Sequence, residues 1–352
     1  MSHSNWIQGI RVYNGSDSQI AGNWIGIGVD GIGKLPNGNE GILVDGGSGK
    51  TVIGSGVATL VPEAARNVVS GNGKFGIAVY ESQLTRISSN FVGIASDGLT
   101  AVPNAIDGIL VTGSFFTLIG TDGDGKSDLF EGNVISGNTK NGIWLSNADY
   151  SRVAGNLIGL SADGTRAVAN NHSNIQTATK FQETISVPMR LDWHRFQIVG
   201  NWIGPVGDGL HSLGNSEGGI SIFEASNNKI GDGTAETSNS IIGNGRVGIQ
   251  VSHLLSTGNS FSRNAIANHS VIEIDLGGDG PTPPIYIDTD NDQTVSPLDV
   301  LLVINFLNNR VSVVGEGESE AISFAVDWST TESIGTMGRH LRVRTARQIP
   351  PG

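Results

Sequence analysis

Apolar and polar positions in this chain alternate in short bursts. Runs such as GILV (Gly41–Val44), GIAVY (Gly76–Tyr80) and GIWLS (Gly142–Ser146) have the two-residue period of a strand. Each burst is closed by Asn-Gly or Asp-Gly punctuation, the chemistry of tight turns. Almost no helical periodicity is found before residue 297. The pattern therefore predicts many short strands joined by turns.

The bursts also repeat. Asn-x-(Ile/Val)-Gly occurs at Asn23–Gly26, Asn90–Gly93, Asn156–Gly159 and Asn201–Gly204. An Asp-Gly pair follows each one, at Asp30, Asp97, Asp163 and Asp208. A second motif, RNVVSGN (Arg66–Asn72), returns as GNVISGN (Gly132–Asn138) and weakly as SNSIIGN (Ser238–Asn244). Gly-Ile pairs open the intervening stretches at Gly41, Gly76, Gly108, Gly142, Gly219 and Gly248. The first two Asn-x-(Ile/Val)-Gly intervals are 67 and 66 residues, and the sub-motifs divide each roughly into thirds. A unit of about 22 residues suits one three-sided coil of a right-handed parallel β-helix, at roughly 3.3 Å per residue. About a dozen coils are expected on that count.

Ile25, Ile42, Ile77, Val92, Ile109, Ile143, Ile158, Ile203, Ile220 and Ile249 are then the stacked core. The repeated asparagines become turn residues whose amides bond from coil to coil. A β-propeller fits less well, because its blades run to about 40–45 residues with aromatic signatures. Aromatics make up only 6% here.

Composition narrows the function. Charged residues are 15% of the 352 and glycines number 51, which favours turns over amphipathic surface helices. A net charge of −12 argues against nucleic acid as a partner. The absence of cysteine rules out disulfides. No secretory signal is visible in MSHSNWIQGIRVYNG, and the apolar run Val300–Ile304 is too short for a membrane span. The chain starts mid-repeat, which leaves open that it is a piece of a longer protein.

Candidate chemistry is sparse in the repeats. Asp30, Asp97 and Asp163 are expected three coils apart, about 14 Å, too far for a glycosidase pair. Their Asp-Gly context makes them turn residues. The repeat breaks between Asn156 and Asn201, where the interval shortens to 45 residues, about one coil short on a 22-residue unit. His172–Gln197 loses its Gly and Asn markers and gathers Lys180, Glu183, Arg190, Asp192, His194 and Arg195. Asp192, His194 and Arg195 are the candidate catalytic residues, against the alternative of a degenerate coil or surface loop. The acidic run TDGDGKSDLF (Thr121–Phe130) lacks the first ligand of a calcium loop and is read as a solvated turn.

Farther on, DTDNDQTVSPLDVLLVINFLN (Asp288–Asn308) has EF-hand-type spacing. Asp288, Asp290 and Asp292 stand at alternating positions, Thr294 offers its carbonyl, Ser296 acts through water, and Asp299 closes the loop. Four carboxylates so close repel one another without a cation, which makes calcium the expected cofactor. An apolar helix pattern follows from Pro297, with Leu301, Leu302 and Phe306 on it.

The repeats, with GNVISGN, NLIGLSADGTRAV and IEIDLGGDG, resemble those of large exported bacterial β-helix proteins. The Asp288–Asn308 segment resembles one half of a type I dockerin. By that resemblance Asp288, Asp290, Asp292, Thr294 and Asp299 hold calcium, and Pro297 and Leu298 meet a cohesin-like partner. Gln293 stands where the loop normally has glycine, at about 1 kcal/mol of strain. No second loop follows. The expected domains are a β-helix over 1–280, a dockerin-like half over 281–310 and a poorly structured tail over 311–352.

The resemblances imply a secreted or cell-surface binding or structural protein, its partner a cohesin-like protein or a cell-surface polysaccharide. The alternative is a β-helical glycoside hydrolase or polysaccharide lyase carrying a dockerin.

Overall fold

The computed structural model describes residues 7–55, 65–178, 196–204, 217–234, 237–253 and 256–277, with the backbone of 324–329 and 340–345. Three parallel sheets of nine, eight and eight strands wrap one core. The chain visits them in turn and then starts the next coil. The first sheet stacks Ile10–Tyr13, Ile42–Asp45, Ile77–Tyr80, Ile109–Thr112, Ile143–Ser146, Ile175–Ala178, Gly218–Phe223, Val247–Ser252 and Ile272–Asp275. The second begins at Gln19–Ile20 and Val52–Gly54, the third at Trp24–Ile25 and Val68–Val69. This is the parallel β-helix that the strand pattern predicts.

Coil length departs from the expectation. Ile10 pairs with Ile42, then Ile77, Ile109, Ile143 and Ile175, so one coil takes 32 to 35 residues rather than about 22. The 66-residue repeat is two unequal coils, and the stack has about eight coils instead of a dozen. Phe91–Val92 lies between Val68–Val69 and Val134–Ile135 on the third sheet. From Asn23 to Asn156, Asn-x-(Ile/Val)-Gly and the Ser-Gly-Asn motif are therefore the same strand on alternate coils. Asn156 and Asn201, 45 residues apart, stand on consecutive coils, so that interval lacks no coil.

The two kinds of coil differ at the corner between the third and first sheets. After Ile25, Val92 and Ile158 the chain leaves as a hairpin, closed by the antiparallel bridges Ile27–Lys34, Ile94–Ala101 and Leu160–Ala167. On the intervening coils the corner is only Ser70-Gly71-Asn72 or Ser136-Gly137-Asn138. Each hairpin reaches over that short corner to the next hairpin. Ser96 N donates to Gly31 O (3.0 Å), and Ala162 N to Gly98 O (2.8 Å). Ile27, Ile94, Ala95 and Val102 of the hairpins pack on Val68, Phe91 and Val134 of the third sheet. Gly26 begins one hairpin at φ +80°, and a Cβ there would stand 2.2 Å from Ser70 O. That contact is why the motif ends in glycine.

All ten predicted core residues are buried at 6% exposure or less. Fully burying each such side chain contributes roughly 1.5–3 kcal/mol. Two columns of buried asparagine run beside them. Amide-to-amide bonds link Asn23, Asn67, Asn90, Asn133, Asn156, Asn201, Asn239 and Asn264 on the third-sheet side. A second column runs Asn37, Asn72, Asn104, Asn138, Asn170, Asn174 and Asn244. Asn133 also donates to Ile87 O (2.8 Å), so each amide satisfies backbone left open at the bend.

By contacts the chain divides into two units, Met1–Pro281 and Thr282–Gly352. In the second, Phe324–Ser329 pairs antiparallel with His340–Thr345, a ladder within the segment expected to be poorly structured. Its register sets Asp327 opposite Arg342.

Candidate functional site: the open face of the first sheet

Each coil presents three outward faces, and among the described residues the third sheet and part of the second carry cover. The hairpins lie over the third sheet. On the second sheet, the excursion at 121–131 is tied down by Arg86, which pairs with Asp122 (2.6 Å) and Glu131 (2.5 Å). Arg152 Nη1 donates to the carbonyls of Thr121 and Asp122 nearby.

The first sheet has a different outer surface. In each Gly-Ile strand the isoleucine points inward and the next residue outward. Those outward positions are Leu43, Ala78, Leu110, Trp144 and Gln176 on successive coils. Leu43, Ala78 and Leu110 point away from the core yet are buried, because Phe75, Tyr80 and Trp144 pack against them. The result is an apolar strip with aromatic walls, the usual lining of a ligand site.

Polar groups border the strip just before each Gly-Ile pair. Gln8 Nε2 donates to Glu40 Oε2 (3.0 Å), and Lys74 Nζ stands 4.0 Å from Glu40 Oε1. Asp107 Oδ1 accepts from Asn141 N (2.8 Å) and Asn141 Nδ2 (2.9 Å). Asn141 Nδ2 also donates to Gln176 Oε1 at 2.9 Å. Farther along, His172 Nε2 meets Glu217 Oε2 at 3.2 Å. Glu217 lines a small depression with Arg246 and Gln250.

This border perturbs its acids. Burial holds the Asp107 carboxyl above the ordinary range, opposed by the Asn141 bonds and by the charges of Lys140 and His172. Tyr80 is raised too, first by burial and then by the charges of Glu40 and Asp107. The face can thus offer aromatic contact, amide donors and a carboxyl of raised pKa within a few coils.

The residues singled out in the sequence fall elsewhere. Asp192, His194 and Arg195 lie outside the described residues, between the first-sheet strand ending at Ala178 and the second-sheet strand starting at Phe196. Asp288, Asp290, Asp292, Thr294, Pro297, Leu298 and Asp299 also lie outside them. Asp30, Asp97 and Asp163 stand two coils apart rather than three, about 10 Å instead of about 14 Å, and all are exposed. Asp30 Oδ1 accepts from Ile32 N and Gly33 N, and Asp97 Oδ1 from Leu99 N and Thr100 N. Asp163 is lowered to about 2, chiefly by the Ser161 hydroxyl and then the Thr165 amide. All three are turn formers.

In the acidic run, ligand atoms of Asp122, Asp124 and Asp128 approach within 4.8 Å of one another. Arg86 already neutralises Asp122, Lys126 stands 3.8 Å from Asp124, and Asp128 accepts from Thr121 Oγ1 and Gly125 N. Asp107, Asn141 and Trp144 were not among the predicted site residues. Their signal was present as an acid or amide directly before a Gly-Ile or Gly-Ile-like pair, and an aromatic directly after it.

No protein-family model matches the chain, and no curated relative does. Among solved structures the chain is similar to the periplasmic alginate epimerase AlgG, at 16% identity and a TM-score of 0.38. Two substituted forms of that enzyme match at TM-scores of 0.37. The match covers 76% of this chain and 47% of the epimerase. The chain thus spans about half the length of the solved structures it matches.

Proposed function

We propose that this β-helix is a polysaccharide-binding protein of the bacterial cell exterior, which lays a glycan along the outer face of its first sheet. The observation that carries the reading is the strip of Leu43, Ala78 and Leu110 walled by Phe75, Tyr80 and Trp144. Aromatic rings over an apolar floor suit the C–H faces of sugar rings, and the bordering amides and acids suit their hydroxyls. A strip running across successive coils suits a linear polymer better than a small molecule.

Affinity electrophoresis with a panel of neutral and acidic soluble polysaccharides tests it. Retardation is expected for at least one glycan, with Tyr80→Ala weakening it about tenfold. No retardation by any glycan would sink the reading. Release of new reducing or unsaturated ends would replace binding by catalysis.

The aspartate spacing of Asp288–Asp299 supports calcium as the ion that orders the C-terminal docking segment. With Gln293 in place of glycine, its affinity should fall between about micromolar and millimolar. Calorimetric titration should show that binding, and Asp292→Asn should abolish it. An unchanged titration in the variant would exclude this loop.

A further inference from the structure

A hydrogen bond made between one pair of coils is missing from the pair before it. Where it is made, the residue two before the first core isoleucine of a coil reaches the residue just after the matching isoleucine of the next coil. Asn141 and Gln176 hold these positions around Ile143 and Ile175, and they are bonded at 2.9 Å. Asp107 and Trp144 hold the same two positions one coil earlier, around Ile109 and Ile143. They are not bonded.

Both are left with unmet capacity. Asp107 is fully buried, and its Oδ1 is saturated by the two Asn141 donors. Among the described residues its Oδ2 accepts nothing and the indole Nε1–H of Trp144 donates to nothing, although both atoms are buried. A buried polar group without a partner is unfavourable, and more so if charged. Two on neighbouring coils of one face, an acceptor and a donor, are complementary to a single small group.

We infer that Asp107 Oδ2 and Trp144 Nε1 form a hydroxyl-binding subsite, which takes a neutral sugar unit from a glycan on this face. A hydroxyl both donates and accepts, so it satisfies the carboxylate and the indole together. A uronate carboxylate or a sulfate ester only accepts, and it is repelled by Asp107. An ammonium group only donates and leaves the indole unmet. Trp144 is half-buried, and a hydroxyl can reach both atoms only if its ring turns outward. The inference rests on the polysaccharide reading above and specifies which sugars it favours.

Calorimetry with neutral gluco-, manno- and galacto-oligosaccharides, against alginate and polygalacturonate oligosaccharides, tests the subsite. Neutral oligosaccharides should bind more tightly. Trp144→Phe keeps an aromatic ring but loses the N–H, and should weaken binding about tenfold. Asp107→Asn keeps the shape and should weaken it by a similar factor. Thermal melts of both variants separate loss of binding from loss of fold. If neutral glycans bind and neither folded variant changes the affinity, the subsite is wrong while the polysaccharide reading stands. Preferential binding of acidic glycans, tightening as pH falls, would mean that Asp107 works as a protonated acid, which also overturns it. Failure of every glycan would remove both readings.

Discussion

The third and first sheets present outward faces built alike and finished differently. Each places apolar side chains on its solvent side: Val68, Phe91 and Val134 on the third, Leu43, Ala78 and Leu110 on the first. The third sheet is roofed by the chain's own hairpins, and Arg66 lies over the Phe91 ring at 4.2 Å. Among the described residues the first is walled by single side chains from its own strands and corners. In a solenoid the strands repeat and the corners vary, so the excursions decide which surface is interior and which is left for a ligand.

Truncations on the two faces should break this comparison if it is wrong. Phe91→Ala empties a site enclosed by sheet and hairpins and should destabilise the protein by about 3–5 kcal/mol. Leu110→Ala removes a side chain beneath movable walls that can settle inward, and about 2 kcal/mol is expected. Denaturant titration of both variants checks the order. Equal losses would mean that the first-sheet strip is as enclosed as the third.

A smaller effect sharpens the picture at the end of the second asparagine column. There His269 takes the place of an asparagine, with Nδ1 accepting from Asn244 N (3.1 Å) and Nε2 facing Ile241 O (3.1 Å). Those partners call for the neutral ring, and burial lowers its pKa below the ordinary 6.5, opposed by nearby Glu273. The unfolded chain therefore binds the proton more readily. The stability contributed by neutral His269 is complete above about pH 6.5 and is lost as pH falls toward the lowered folded value. Glu273 offsets part of the loss. Thermal melts from pH 7.5 to 5 should show it, and His269→Asn should remove it. A variant with the wild-type pH slope would assign that slope elsewhere.

Much of the fold was legible because its rules are local. Isoleucine after glycine marks the inward position at Ile42, Ile77, Ile109, Ile143, Ile220 and Ile249. The residue before the glycine of Asn-x-(Ile/Val)-Gly marks it at Ile25, Val92, Ile158 and Ile203, and all ten are buried. Asparagine at each bend has one physical use, and the two amide columns display it. The coil length was not legible, because Val68-Val69 and Phe91-Val92 belong to one sheet but sit in different motifs. Nothing local says that a hairpin occupies the remaining span on alternate coils. The open face was hidden for a similar reason. Leu43, Ala78 and Leu110 are apolar on both the inward and outward reading, so alternation could not show which of them a neighbour would cover. The aspartates of the expected calcium loop and the His194 patch lie outside the described residues, and their spacing in the chain is the argument for them.

The hairpins that touch across a short corner also constrain how such a protein can lengthen. A hairpin reaching over one coil to bond the next, as Gly31 with Ser96 and Gly98 with Ala162, occupies the height of two coils. Duplicating one coil of about 33 residues would set two hairpins in the same space, or leave a stretch of the third sheet bare. Among the alternating coils up to Val168, only a pair can be copied or deleted without mending the seam. The module there is the 66-residue pair, and engineered extension of that stretch should succeed in steps of two.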